Sequence, residues 1–270
     1  MMAAAQQPGP GGGVPPLSIW DIPERGGRGP KARHSRAAIA AAAVTLADAE
    51  GLDAVTMRRV AAALGMGTMS LYNYVPAKEH LVQLMIDHVA GEYRYPGQAA
   101  AGANAPEPRA GILDLARQGR DITRRHPWLP REMQRPPVIG PSALRYVEHF
   151  LGLLSGSGLD TGAKMEVLGM VNGFAISYGG VQAALAGERA RTGVTEEEQA
   201  AAQVARLVSA AAGGGYPNLA AALAGPPPPP RDADEIFDRC VLRLIDGALG
   251  RGNSKCQEMM IPPITGEHVS

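Results

Sequence analysis

The spacing of apolar residues predicts helices along most of the chain. In the first such segment Ile39, Ala43 and Ala47 recur every four residues, Ser35 can cap the helix start and Gly51 can end the helix. The same periodicity, bounded by capping residues, glycines and prolines, predicts further helices over 56–64, 68–74, 78–95, 109–126, 141–154, 162–186, 195–212, 216–224 and 232–250. The chain is therefore expected to be all-α.

A segment without periodicity separates two sets of predicted helices. Residues 96–108 are rich in Gly, Ala, Asn and Pro, which is typical of a loop at a domain boundary. We therefore predict two domains, over 25–95 and 109–250, between a disordered N-terminal tail (1–24) and a loose C-terminal tail (251–270). In the second domain, 162–186 is apolar on nearly all sides, which indicates a helix packed between neighbours.

The composition excludes several classes of protein. Apolar residues make up 45% of the chain, but no run approaches the roughly 20 apolar residues that span a bilayer, so no membrane segment is expected. The first 16 residues lack the positive charge and the apolar run of a secretory signal. Cys240 and Cys256 are the only cysteines, too few for a disulfide framework or a zinc site. These features predict a cytoplasmic protein without a metal or another cofactor.

Positive charge is concentrated near the N-terminus, although the net charge is zero. Residues 25–80 carry eight Lys and Arg against four Asp and Glu, whereas the segments on either side carry more acidic than basic residues. A basic end on a neutral chain suits a nucleic-acid-binding domain that is joined to a body with another role.

The two short helices are typical of a helix-turn-helix. The first follows Thr56 and ends at Gly65, and the second begins near Thr68. The apolar residues that should face the preceding helix are Val60, Leu64, Leu71 and Val75. The second helix would then expose a face rich in hydroxyl groups, and the major groove of DNA admits one such helix.

The order of residues in this region matches a family pattern. The pattern consists of Val55-Thr56, Val60-Ala61 and Leu64-Gly65, followed by Leu71-Tyr72-Asn73-Tyr74-Val75 with Lys78 and Leu81. On these residues the stretch 35–85 resembles the DNA-binding domain of the tetracycline-repressor (TetR) family. The C-terminal body is similar, more loosely, to the ligand-binding domain of the tetracycline repressor's own branch, through segments 126–128, 140–146 and 237–247. The resemblance implies an N-terminal three-helix helix-turn-helix domain and a larger helical domain that binds a ligand and dimerises.

The resemblance also assigns roles within the helix-turn-helix. It places base-edge contacts at Thr68, Met69, Ser70 and Asn73, and phosphate contacts at Tyr72, Tyr74, Lys78 and Arg58. Two tyrosines two positions apart cannot share one helical face, so at least one of them should be exposed. The basic arm before the first helix, with Arg33 and Arg36, would either add backbone or minor-groove contacts or form a solvated segment.

In the C-terminal body the resemblance implies an effector pocket and a dimer interface. The candidate pocket residues could equally belong to the core; they are Trp128, Met133, His149, Phe150, Met170, Asn172, Phe174, Tyr178 and Gln182. Helices 162–186 and 232–250 would form a four-helix interface with a second copy, which Gly169, Gly173 and Gly179 would let approach closely.

Two other clusters have simpler interpretations. His126, Glu148 and His149 do not have the spacing of metal ligands. The segment 117–135 carries six arginines, and the four-residue spacing of Arg117, Asp121 and Arg125 favours local ion pairs over an anion site. We therefore assign no metal site to the first cluster and no anion site to the second.

The sequence as a whole predicts a ligand-responsive transcriptional regulator. It would act as a repressor that binds a pseudo-palindromic operator in double-stranded DNA as a homodimer, and a small-molecule effector would release it. A helical enzyme is one alternative, but no GxSxG, P-loop or HExxH motif is present and no catalytic residue is assigned. A scaffold of the same fold that does not bind DNA is the other alternative, and DNA-binding assays separate the three.

Overall fold

A computed structural model describes residues 18–24, 34–95, 107–135, 139–225 and 232–250. Across these ranges every regular element is helical, as the sequence predicts. The chain divides into two compact units. The N-terminal unit comprises the described residues up to Glu92 and those within Arg131–Leu144, and the C-terminal unit comprises those within Tyr93–Pro130 and from Arg145 onward.

Four α-helices lie wholly within the described part of the N-terminal unit: α1 (Arg36–Glu50), α2 (Met57–Ala63), α3 (Thr68–Tyr72) and α4 (Lys78–Ala90). Two predicted caps are confirmed in this unit, because the side chain of Ser35 accepts the Ala38 N–H and that of Thr56 accepts the Arg59 N–H. The turn between α2 and α3 contains Gly65 at φ 62°, a backbone region that favours glycine. The fourth helix ends five residues before the predicted boundary.

Residues Ser18–Glu24 form an ordered segment of the N-terminal unit, which we call the N-terminal strap. It contains a short 3-10 helix, Ile19–Asp21, and the Ile19 side chain is fully buried. The prediction of a disordered tail over 1–24 is wrong for this stretch, whose surroundings are rich in Pro and Gly. The large apolar side chains Ile19, Trp20 and Ile22 within four residues were the signal that the prediction missed.

The segment Arg131–Leu144, predicted to belong to the second domain, clusters with the N-terminal unit. The buried Asp87 on α4 is one physical reason. Its Oδ1 accepts the backbone N–H groups of Ser142 at 2.8 Å and Ala143 at 3.1 Å. These two groups lie in the first turn of α7 (Pro141–Leu153), where amides lack partners within the helix.

The C-terminal unit contains α5 (Pro108–Arg125), the first half of α6 (Leu129–Glu132) and the part of α7 from Arg145 onward. It then adds α8 (Thr161–Thr192), α9 (Glu196–Ala212), α10 (Pro217–Leu223) and α11 (Ala233–Leu249). Helix α8 runs six residues beyond the predicted end and stops at Gly193, which has φ 74°. The core lies between α5, α7, α8 and α11, with Ile112, Phe150, Val171 and Phe237 among its buried members.

Helices α5 and α8 approach closely at Gly179. A Cβ atom at this position would lie 2.7 Å from the backbone oxygen of Arg120, so a larger residue would separate the helices. Gly179 therefore serves packing within the subunit, and not contact with a second copy as the sequence analysis expected. At Gly169 and Gly173, in contrast, an added Cβ would meet no atom within 4 Å.

Two ion pairs join α5 to α11. Arg109 binds both carboxylate oxygens of Asp246, at 2.7 and 2.8 Å, and Arg117 binds both carboxylate oxygens of Asp238. The local pairing of Arg117 with Asp121 that the sequence suggested is replaced by this contact between helices. Within the described ranges, no helix is both long and apolar enough to cross a membrane.

Candidate nucleic-acid interface

Helix α3 and the turn after it are anchored by two buried side chains, and most other side chains of the helix are exposed. Leu71 and Val75 are fully buried, which fixes the rotation of the helix about its axis. The side chain of Met69 is 77% exposed, and the exposed set also contains Ser70, Tyr72 and Asn73. Thr68 and Tyr74 are half-buried. Six predicted DNA-contact residues are thus brought together on or next to one short helix.

Two basic candidates flank this helix on its neighbours. Arg58 in the first turn of α2 and Lys78 at the start of α4 are both exposed. The adjacent Arg59 forms an ion pair with Glu50 on α1, with 2.5 Å between its Nη2 atom and the Glu50 Oε1 atom. This contact raises the pKa of the Arg59 guanidinium and lowers the pKa of the Glu50 carboxyl. Arg58 and Lys78 are therefore exposed cations of the described residues beside α3, whereas the Arg59 guanidinium is paired with Glu50.

The prediction that Arg36 contacts DNA is corrected by the structure. Only 7% of Arg36 is exposed, and its guanidinium donates to the carbonyl oxygens of Ile19, Ile22 and Tyr74. These bonds occupy the group inside the protein and leave it unable to reach a phosphate. Arg33, the other predicted contact in the arm, lies outside the described residues.

The nine residues predicted to line an effector pocket have different surroundings in the described part of the chain. Phe150 is fully buried in the core, and Phe174 stacks on Phe237 with ring centroids 5.6 Å apart. The amide of Asn172 accepts the Tyr146 hydroxyl. Two other candidates, Met133 and Met170, are exposed, and Met133 belongs to the N-terminal unit.

Two further candidates pack against aromatic neighbours. Trp128 is 6% exposed and makes an edge contact with the His126 ring. His149 packs against Tyr95 with ring centroids 4.8 Å apart, and partial burial lowers the pKa of the imidazole. The described residues contain no group of three or more His, Cys, Asp or Glu side chains placed to hold a metal ion.

The last two candidates, Tyr178 and Gln182, lie in an open cleft of about 930 Å³ in the C-terminal unit, which we call the α5–α8 cleft. The Tyr178 hydroxyl donates to the Ala233 carbonyl oxygen at 3.0 Å, and burial raises the pKa of the phenol. The Gln182 Oε1 atom is buried and has no hydrogen-bond partner among the residues that the structure describes. Such an atom can accept a hydrogen bond from a molecule in the cleft.

The charged lining of this cleft was missed by sequence reasoning. Arg120 is nearly buried, pairs with Asp121 at 3.0 Å and Asp234 at 2.9 Å, and lies 4.6 Å from the centre of the Phe237 ring. The full charged lining is balanced and consists of Arg120, Asp121, Arg124, Arg125, Arg189, Glu196, Asp232 and Asp234. Helical spacing was the available signal, because residues 178, 182, 185 and 189 share one face of α8.

Two curated regulators are similar to this chain in sequence. The chain is 39% identical over 178 residues to the HTH-type transcriptional repressor DrrR1 of Streptomyces coeruleorubidus. It is 31% identical over 143 residues to an HTH-type transcriptional regulator of Saccharopolyspora erythraea. The matches cover 66% and 53% of this chain. The chain spans 64% of the first relative's length and 58% of the second's.

Solved structures with the same fold include ActR from Streptomyces coelicolor. The apo form superposes with a TM-score of 0.64 at 27% identity, covering 81% of this chain and 98% of ActR. A complex of ActR with actinorhodin has a TM-score of 0.61 at 26% identity and the same coverage.

Family models match both units. Residues 39–85 match the model described as bacterial regulatory proteins, tetR family. Residues 104–250, more than half of the chain, match the tetracyclin repressor-like C-terminal domain. With the outward-facing α3 and the all-helical body already described, these matches establish that the chain belongs to the TetR family of bacterial regulatory proteins.

Proposed function

We propose that this protein is a transcriptional repressor that binds a pseudo-palindromic DNA operator as a homodimer and is released by a small-molecule effector. The observation that carries the proposal is the orientation of α3. Buried Leu71 and Val75 anchor the helix, while Met69, Ser70 and Asn73 face outward. A helix held in this way can enter the major groove and contact base edges.

The α5–α8 cleft is the proposed effector site. Its volume of about 930 Å³ lies within the range of small-molecule sites, and Tyr178 and Gln182 offer polar groups beside Val181 and Leu185. The ActR complex with actinorhodin supports a small-molecule effector for this family member as well. The effector must bind the released conformation more tightly than the DNA-bound one, because equal affinity would shift no population.

The proposed dimer uses the outer face of α8. Met165 and Met170 are exposed on this helix, and Gly169 and Gly173 lie open beside them. Exposed apolar side chains next to small residues suit close packing against an identical helix across a two-fold axis. Two copies would present two α3 helices to successive half-sites roughly 34–36 Å apart.

Substitutions at the interface should separate phosphate contacts from base contacts. Lys78→Ala should weaken binding about tenfold to every operator variant and reduce the slope of log K against log salt by about 0.9, because one phosphate contact is lost. Tyr72→Phe should also weaken all variants alike. Ser70→Ala or Thr68→Ala should instead change the preferred base at one position. Gel-shift titrations over a set of operator mutants measure both effects.

The control for these titrations is Arg191→Ala, which removes an exposed positive charge from the C-terminal unit. It should leave both affinity and salt slope unchanged. Uniform loss of affinity from the Thr68 and Ser70 variants would contradict the assignment of base contacts. Absence of any salt-dependent shift with the wild-type protein, on DNA selected from a random library, would favour the scaffold alternative.

The dimer proposal can be tested by replacing either of two open glycines of α8 with Glu, because only one of the two lies in the proposed interface. Gly173→Glu should raise the dimer dissociation constant at least tenfold, because like charges would meet across the two-fold axis. Gly187→Glu is the matched control, since this glycine is equally open but lies beyond the predicted interface segment 162–186. Sedimentation velocity measures the dissociation. A monomeric wild-type protein, or equal behaviour of the two variants, would argue against this interface.

A further inference from the structure

Arg36 links three separate parts of the N-terminal unit through its side chain. Its Nη1 atom donates to the carbonyl oxygens of Ile19 at 3.1 Å and Ile22 at 2.7 Å, both in the N-terminal strap. Its Nε atom donates to the carbonyl oxygen of Tyr74 at 3.1 Å, two residues beyond the end of α3. One planar guanidinium on α1 thus joins the strap to the exit from the exposed helix.

The strap itself is held at both of its ends. The Ile19 N–H donates to the Gln83 Oε1 atom on α4 at 2.8 Å, and the Ile19 side chain is fully buried. At the other end, Glu24 Oε1 accepts the backbone N–H of Arg36 at 2.9 Å. The strap is therefore a fixed structural element against which Arg36 can be oriented.

We propose that the N-terminal strap and Arg36 together position α3 for DNA binding, with Arg36 acting as a positioning residue that does not contact DNA. The inference rests on the proposed function and extends it to residues far from the interface in sequence. It replaces the role that the charge of Arg36 first suggested.

Two physical features support this positioning role. Hydrogen bonds from a charged donor are stronger than those between neutral groups. The guanidinium hydrogen bonds of Arg36 described above all go to backbone carbonyl oxygens. Tyr74 lies between the candidate contacts of α3 and Lys78, so a shift of its carbonyl would move both sets of contacts. The amides of Tyr74 and Val75 donate to the Leu71 carbonyl oxygen. These bonds connect the Tyr74 carbonyl group, which Arg36 binds, to the last turn of α3.

The salt dependence of operator binding distinguishes positioning from phosphate contact. Arg36→Met should weaken binding about tenfold with an unchanged slope of log K against log salt, whereas Lys78→Met should lower the slope by about 0.9. Arg36→Lys should recover part of the affinity, because an ammonium group can still donate to one or two of the carbonyl oxygens. Arg191→Met is the charge-matched control outside the N-terminal unit and should bind as wild type.

A strap variant that changes no charge provides the second test. Ile19→Ala removes a fully buried side chain from the strap and should weaken operator binding to a similar extent. If the strap acts through Arg36, the Ile19→Ala and Arg36→Met double variant should lose less affinity than the product of the two single losses. Wild-type affinity in Ile19→Ala, or a reduced salt slope in Arg36→Met, would overturn the proposal.

Hydrogen exchange in the free protein tests the coupling independently of DNA. Both variants should accelerate exchange in a peptide covering residues 71–75, while peptides from α9 serve as an unchanged internal reference. If the wild-type protein binds no operator, the proposed function fails and exchange alone decides whether the strap holds α3. Unchanged exchange at 71–75 in both variants would overturn the coupling, whatever the DNA result.

Discussion

Phe237→Ala is expected to destabilise the C-terminal unit by about 3–5 kcal/mol. The ring is fully buried and contacts both Phe174, with centroids 5.6 Å apart, and Tyr178, with centroids 5.3 Å apart. The guanidinium of Arg120 covers the same ring at 4.6 Å. The substitution therefore leaves a cavity and also removes the aromatic and cation–π contacts next to the α5–α8 cleft.

The two tryptophans of the chain allow this loss to be assigned to one unit. Trp128 belongs to the C-terminal unit and Trp20 to the N-terminal unit. Denaturant unfolding followed by fluorescence in a Trp20→Phe background reports on Trp128 alone. Phe237→Leu, which keeps most of the buried volume, should cost about 1 kcal/mol. Equal midpoints for the Ala and Leu variants would show that the ring cluster contributes little to the stability of this unit.

Asp87→Ala is expected to destabilise the N-terminal unit by about 2–4 kcal/mol. Asp87 is 9% exposed, and the substitution leaves the N–H groups of Ser142 and Ala143 without this acceptor. Each unsatisfied buried amide costs about 1–3 kcal/mol. Unfolding measured through Trp20 in a Trp128→Phe background reports the change.

Two further variants distinguish the loss of the hydrogen bonds from Ser142 and Ala143 to Asp87 from a general effect of the Asp87 charge. Asp87→Asn retains an oxygen acceptor of the same shape and should cost less than the Ala variant. Gly140→Ala keeps the carboxylate but places a Cβ 2.3 Å from the Asp87 Oδ1 atom. This variant should therefore displace the carboxylate from the α7 amides and destabilise the N-terminal unit. A fully stable Gly140→Ala variant would contradict the geometry described for this corner of the molecule.

Features encoded over short stretches of sequence could be predicted well. Ser35 and Thr56 cap the helices that they were expected to begin. The outward face of α3 also follows from local periodicity, because buried Leu71 and Val75 are four residues apart. These predictions depend only on neighbouring residues along one element.

Features that depend on distant pairing could not be predicted. Arg36 contacts the Tyr74 carbonyl oxygen across 38 residues, and Asp87 contacts the Ser142 amide across 55. Periodicity and capping rules say nothing about such partners, so a buried arginine was interpreted as a DNA contact. The interpretation of Gly179 was wrong for the same reason, since its close neighbour Arg120 lies on another helix.

The scarcity of aromatic residues has a practical consequence for spectroscopy. The chain contains three phenylalanines, Phe150, Phe174 and Phe237, and all of them lie in the C-terminal unit, in or against its core. Biosynthetic incorporation of fluorophenylalanine would therefore give fluorine NMR resonances from this unit alone. Two of these labels lie in the ring cluster next to the α5–α8 cleft, so the spectrum could follow ligand titration directly, without signals from the N-terminal unit.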